Sequence, residues 1–188
     1  MTFAISLDIE TLSTNKNAVV LAIGATTISL DGSPEKTFYA RLDPQEQIDM
    51  GRHVSASTIR WWMQQSNAAQ VTTFDGVTVK AATALELLTA WLAEEGSPPI
   101  YTNGPAFDAA ILESLAEDLK MRAPWSHRQN RDLRTVEESI LLTSDEFLHE
   151  RFYARKERVY SNMVAHNALD DAKAQGEIVK FWMSELRK

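Results

Sequence analysis

Asp8 and Glu10 stand two residues apart in Leu7-Asp8-Ile9-Glu10-Thr11. Side chains of an extended segment alternate, so both carboxylates share one face and Ile9 takes the other. Two carboxylates about 7 Å apart along a strand repel unless a cation lies between them, which suits ligands of a hard divalent ion such as Mg²⁺. A solvated strand end is the commoner meaning of an isolated Asp-x-Glu. Asp108 follows Asn103-Gly104-Pro105-Ala106-Phe107 and opens a helical stretch. Unpaired amides and the macrodipole favour an acid there, so alone it reads as a helix start. His166 precedes Asn167-Ala168-Leu169-Asp170-Asp171, with Asn167 as the expected helix cap. A histidine titrates near neutrality and suits a general base, although an ordinary, partly exposed histidine looks the same in isolation. Asp170 and Asp171 lie about 100° apart on a helix, so only one of them faces the cleft that His166 faces.

The elements that must position these residues follow from hydrophobic periodicity. Residues 3–8, 18–30 and 37–42 read as strands, and the short links between them predict an antiparallel meander. Helical spacing then appears over 57–65, 83–95, 107–121, 133–141, 145–153 and 168–186, with a short strand at 100–103. Strands first, then helices alternating with a strand, predict an α/β protein with a mixed sheet flanked by helices. The stretch from Arg122 to Asn130 reads as a surface loop, and 1–188 reads as one domain.

Composition bounds the chemistry further. The 188 residues carry a net charge of −7, are 44% hydrophobic and include no cysteine. Disulfide frameworks, thiolate zinc sites, iron–sulfur clusters and cysteine nucleophiles are thereby excluded. The longest weakly polar run, Ala18–Leu30, falls short of a membrane span of roughly 20 residues. The start of the chain carries no basic residues and runs straight into a strand, unlike a signal or transit peptide, so a cytoplasmic protein is expected. The acidic balance argues against binding nucleic acid by bulk charge alone but does not exclude it as a substrate, since bound cations would neutralise clustered carboxylates.

The ordered set Asp-x-Glu-Thr, Asn-Gly-x-x-Phe-Asp and His-Asn-Ala-x-x-Asp spans residues 8–171 and resembles the DEDDh 3′–5′ exonucleases. That superfamily includes polymerase proofreading domains, oligoribonuclease and ribonuclease T. Thr58-Ile59-Arg60-Trp61-Trp62 and the Asn103–Asp108 segment look closest to the group containing phage exonuclease A and a mycobacterial-type exoribonuclease. The resemblance implies a ribonuclease H-like fold in which Asp8, Glu10, Asp108 and Asp171 hold two Mg²⁺ ions, with Mn²⁺ as substitute, and His166 deprotonates the attacking water. Family spacing selects Asp171 over Asp170, which stays as backup. The implied reaction is hydrolysis of single-stranded DNA or RNA from a free 3′ end, releasing nucleoside 5′-monophosphates. Thr11 and Leu12 would then lie beside the terminal nucleotide, and Phe107 near the site.

Among supporting groups, Trp61 and Trp62 are helix neighbours, so one belongs to the core and the other is available to stack on a base, without the sequence deciding which. Two basic clusters, Arg122/Arg128/Arg131/Arg134 and Arg151/Arg155/Lys156/Arg158, are solvated surface or phosphate tracks. Proximity to His166 favours Arg155, Lys156 and Arg158 as the phosphate contacts. Two rival readings keep the fold: a noncatalytic or partner-dependent binding subunit, and a ribonuclease H-like endonuclease. Related exonucleases are often dimeric, which makes homodimeric assembly a further expectation.

Overall fold

The alternation read at Asp8 and Glu10 is carried by β1 (Thr2–Thr11), the middle strand of the structure, a computed structural model describing residues 2–161 and 163–187. β1 pairs antiparallel with β2 (Val20–Ser29), which pairs antiparallel with β3 (Thr37–Arg41). On its other side β1 runs parallel to β4 (Ile100–Thr102), and β4 runs parallel to β5 (Asn130–Asp132), giving the order β3-β2-β1-β4-β5. The expected meander and mixed, helix-flanked sheet are therefore present. β5 begins inside the stretch read as loop, because Asn-Arg-Asp carries no apolar alternation and joins the sheet edge through its backbone.

All ten positions of β2 are buried, since helices cover both faces of the sheet. Ile5, Leu7 and Ile9 point into one core with residues of α4 (Ala81–Glu94) and α5 (Asp108–Asp118). The second core joins Ala4 and Ile28 to α6 (Leu133–Leu141), α7 (Glu146–Tyr160) and α8 (Ala168–Glu185). The even-numbered side chains of β1 thus face α8. Two glycines let that helix descend onto the strands. A Cβ on Gly24, the register partner of Asp8, would fall on the Ala168 backbone, and one on Gly176 would lie 3.4 Å from Ser6 Cβ.

The remaining helices are short: α1 (Pro44–Asp49), α2 (Ala56–Trp62) and α3 (Asn67–Phe74). α1 and α3 escape periodicity because they bury few apolar side chains; α1 buries Gln47, whose amide bonds Val20 N–H and C=O at 2.8 and 2.7 Å. α7 runs seven residues beyond the expected end at Tyr153. Its Arg-Lys-Glu-Arg stretch reads as solvated, yet Val159 beyond it is buried and holds the last turns down. No helix among the described residues is long and apolar enough to cross a membrane.

Candidate active site

Three carboxylates from two elements converge. Asp8 and Glu10 come from β1 and Asp171 from the first turn of α8, and a ligand oxygen of each lies within 4.8 Å of the others. Asp108, the first residue of α5 and 3% exposed, borders the same cleft of about 320 Å³ without joining that tight trio. Burial and mutual repulsion set their titration. Asp8 is held well above the usual carboxylate range, first by burial and then by Asp108, Glu10 and Asp171; a hydrogen bond from Gln175 opposes this. Burial, then Asp171 and Asp108, push Glu10 up to about 8. Burial pushes Asp108 up to about 7 against the pull of backbone amides and Arg134. Burial also raises Asp171. Like charges crowded out of water favour a counter-cation, and a donor set made only of carboxylate oxygens fits a hard divalent ion. The paired-histidine or thiolate sets of zinc sites are absent among the described residues.

The approach to α8 explains why Asp171, rather than its neighbour, enters the trio. Asn167 caps the helix, its side chain accepting from Leu169 and Asp170 N–H at 3.0 and 3.1 Å. His166 N–H donates to Asp171 Oδ2 at 2.9 Å, while Asp170 Oδ2 turns back to accept from Val164 N–H at 3.1 Å. His166 has a φ of 63°, a left-handed conformation that costs roughly 1–2 kcal/mol for a side-chain-bearing residue. Its carbonyl accepts from Thr73 Oγ1 at 3.2 Å, and its ring packs edge-on against Trp61 at 4.7 Å. Held at both backbone atoms and at the ring, the imidazole lines the carboxylate cleft.

A second cavity, about 450 Å³ and mostly apolar, opens beside the first and shares Ile9, Glu10 and Phe107 with it. Thr11, Thr14, Ser57, Thr58 and the two tryptophans complete its lining. The ambiguity at Trp61/Trp62 resolves by exposure. Trp62 is 3% exposed and donates from Nε1 to Thr11 C=O at 2.9 Å, so it belongs to the core that fixes the end of β1. Trp61 is 39% exposed and free to meet a ligand. Leu12 departs from expectation: it packs on Trp62 and lines a neighbouring groove with Ile59, Met63 and Phe74 instead of this pocket.

The favoured basic residues also lie elsewhere. Arg155 pairs with Glu177 on α8, and Lys156 Nζ meets Glu137 on α6 at 2.7 Å, so both join α7 to its neighbours. Neither they nor Arg158 are among the described residues lining the cleft. Sequence proximity to His166 misled because the acidic partners come from helices distant in the chain. Arg134, from the cluster given second place, lines the cleft with Tyr160, Asn103 and Gln175. Gln175 is 3% exposed; it donates from Nε2 to Asp8 Oδ1 at 2.8 Å, while its buried Oε1 finds no partner among the described residues. Its spacing of four residues from Asp171 along α8 was the available signal. For Arg134 the signal was topological, since the carboxyl ends of parallel strands β1, β4 and β5 meet at one edge of the sheet. Tyr160 had none, lying in the part of α7 that periodicity did not reveal.

This architecture is shared with a known nuclease. The nuclease domain of 3′hExo, a DEDDh family member solved bound to rAMP, superposes with a TM-score of 0.66 over 97% of this chain and 92% of its own, at 11% identity. At that identity the likeness is one of fold. No curated protein matches the chain in sequence. Residues 4–183 match the model of the 3′-5′ exoribonuclease Rv2179c-like domain. A match over nearly the whole chain makes this protein a member of the Rv2179c-like 3′-5′ exoribonuclease domain family and a 3′–5′ exonuclease, built on the fold of a DEDDh nuclease.

Proposed function

We propose that this exonuclease acts on single-stranded nucleic acid with a free 3′ end and releases nucleoside 5′-monophosphates, with Asp8, Glu10, Asp108 and Asp171 holding two Mg²⁺ ions. The observation that carries this reading is the trio of Asp8, Glu10 and Asp171, whose ligand oxygens lie within 4.8 Å of one another in a half-buried cleft. Bound there, a pair of divalent cations would supply charge neutralisation at both oxygens of an in-line displacement, and Mn²⁺ would substitute.

The chain's own groups do the rest. The apolar pocket walled by Trp61 and Phe107 receives the terminal nucleoside, with Trp61 as the stacking surface and Thr11 at the strand end. That seats the last phosphodiester over the carboxylates. His166 takes the proton of the attacking water as the new phosphorus–oxygen bond forms. The bond to the 3′-oxygen of the preceding nucleotide breaks, and that oxygen leaves with a proton from solvent. Gln175 keeps Asp8 turned into the cleft. The family description favours RNA over DNA.

A time course on matched 5′-labelled RNA and DNA strands, with Mg²⁺ or Mn²⁺, tests this reading. A ladder shortening from the 3′ end, absent in EDTA and with Asp8→Asn, is the expected result, with RNA consumed faster. Intact strands in every metal would defeat it, as would cleavage of a circular strand, which has no 3′ end.

A further inference from the structure

Arg134 is placed where its own helix disfavours it. It is the second residue of α6, where the positive end of the macrodipole repels a cation. The guanidinium nevertheless has a prepared seat. Its Nε donates to Asn103 Oδ1 at 3.3 Å, the one hydrogen bond its side chain makes among the described residues. Gly104, with φ of 110°, yields the space: a Cβ there would lie 3.3 Å from the guanidinium carbon. Asn-Gly after β4 therefore does more than turn the chain toward Asp108. The seat leaves the Nη atoms without a carboxylate partner among the described residues, in an exposed side chain that lines the acidic cleft. Its charge reaches Asp108, yet the two form no ion pair.

Charge balance assigns that cation a ligand. Four carboxylates match two divalent ions, which leaves the positive charge of Arg134 for the substrate. Its position says which part. The apolar pocket contains Trp61 but not Arg134, the cleft contains Arg134 but not Trp61, and Ile9, Glu10 and Phe107 are common to both. Glu10 is therefore the carboxylate on the wall between the nucleoside pocket and the cleft that holds the arginine. We infer that Arg134, seated by Asn103 and Gly104, binds the phosphate immediately 5′ of the scissile one, forming a subsite that requires at least one upstream nucleotide. The inference rests on the exonuclease reading above. Arg134 acts as a charge-assisted donor to a nonbridging phosphate oxygen and takes no part in bond breaking.

Two substrates separate this role from others: a single-stranded oligonucleotide, and the p-nitrophenyl ester of thymidine 5′-phosphate, which has a scissile phosphate and nothing upstream. Arg134→Ala is expected to raise KM for the oligonucleotide about 10-fold, in line with the loss of a charged hydrogen bond, with kcat little changed. At saturating Mg²⁺, hydrolysis of the ester should fall far less than hydrolysis of the oligonucleotide. Arg134→Lys should recover most of the loss. Binding of the oligonucleotide in Ca²⁺, followed by anisotropy against salt, should lose about 0.7 from its log–log slope in Arg134→Ala, one phosphate contact on a single strand. Equal loss on both substrates, or no loss on either, overturns the inference while leaving the exonuclease reading intact. A wild-type protein that hydrolyses neither substrate would remove that reading and this inference together.

Discussion

The two faces of β1 are built from one strand and serve opposite ends. On the odd face, Ile5, Leu7 and Ile9 are at most 4% exposed and pack against α4 and α5, each contributing favourable burial. On the even face, Ser6, Asp8 and Glu10 lie under α8; Ser6 Oγ is buried without a partner among the described residues, and the two acids are held far from their ordinary titration. Strand pairing and the odd face hold the even face in an arrangement that its own charges oppose. What would be a defect elsewhere is the shape expected of a cation site. The odd face of β1 should therefore govern stability, and the even face hydrolysis.

Asp8→Asn separates the two most sharply. The amide keeps an oxygen for Gln175 Nε2 and removes the charge most hemmed in by neighbours. Hydrolysis should fall to background. The metal-free protein should melt at a higher temperature than wild type, because repulsion from Glu10, Asp108 and Asp171 is relieved. Scanning fluorimetry in EDTA beside a strand-degradation assay reads both. Wild-type turnover would remove Asp8 from the cation site, and an unchanged or lower melting temperature would mean the charges are not in conflict.

His166→Ala comes next, with an expected loss of about 10²–10⁴-fold in kcat, the range of a general base. Calorimetric titration with Mg²⁺ should give an affinity close to wild type, since the bond that orients Asp171 comes from the backbone N–H of residue 166 and survives the substitution. A parallel collapse of Mg²⁺ affinity would make the imidazole a ligand or a structural prop.

Leu7→Ala tests the opposite face. Leu7 is fully buried in the core that β1 shares with α4 and α5, and its truncation should cost about 3 kcal/mol of stability. Below the melting transition its kcat should stay within about threefold of wild type, because Asp8 and Glu10 are oriented by strand pairing rather than by that side chain. A large loss of kcat in the folded variant would show the two faces to be coupled.

The same division governs what could be read from the sequence. The period of two that places Asp8 opposite Ile9 is a local property of any strand, and the Asn167 cap is a local property of a helix start; both are legible without a fold. Choosing between Trp61 and Trp62 required knowing what lies above α2, which the 100° between neighbours cannot tell. Arg155 and Lys156 look available until Glu177 and Glu137 arrive from α8 and α6. The seat of Arg134 needs β4, the Asn103–Gly104 turn and α6 together, three pieces whose meeting is a tertiary event. Charged groups are the hardest to place this way, because a surface cation gains as much from water as from a partner.

The smallest expected effect concerns pH and uses the even face alone. Glu10 sits at about 8 in the folded chain against 4.5 for an ordinary glutamate, Asp108 at about 7 against 3.8, and Asp8 and Asp171 are raised as well. Between these limits the metal-free folded state keeps protons that the unfolded chain has released, so raising the pH favours unfolding. For Glu10 and Asp108 the penalty is absent below about pH 4 and has largely developed once the pH passes about 8, the higher of their two folded values. The melting temperature in EDTA should therefore decline across that window. Mg²⁺ competes with those protons, so its stabilising shift should be larger at about pH 8.5 than at about pH 5.5. Asp8→Asn should flatten the EDTA profile, because it removes one of the raised titrations outright. A profile that rises with pH in EDTA, or a Mg²⁺ shift of equal size at both ends, would mean that the acids of the even face do not share one buried field.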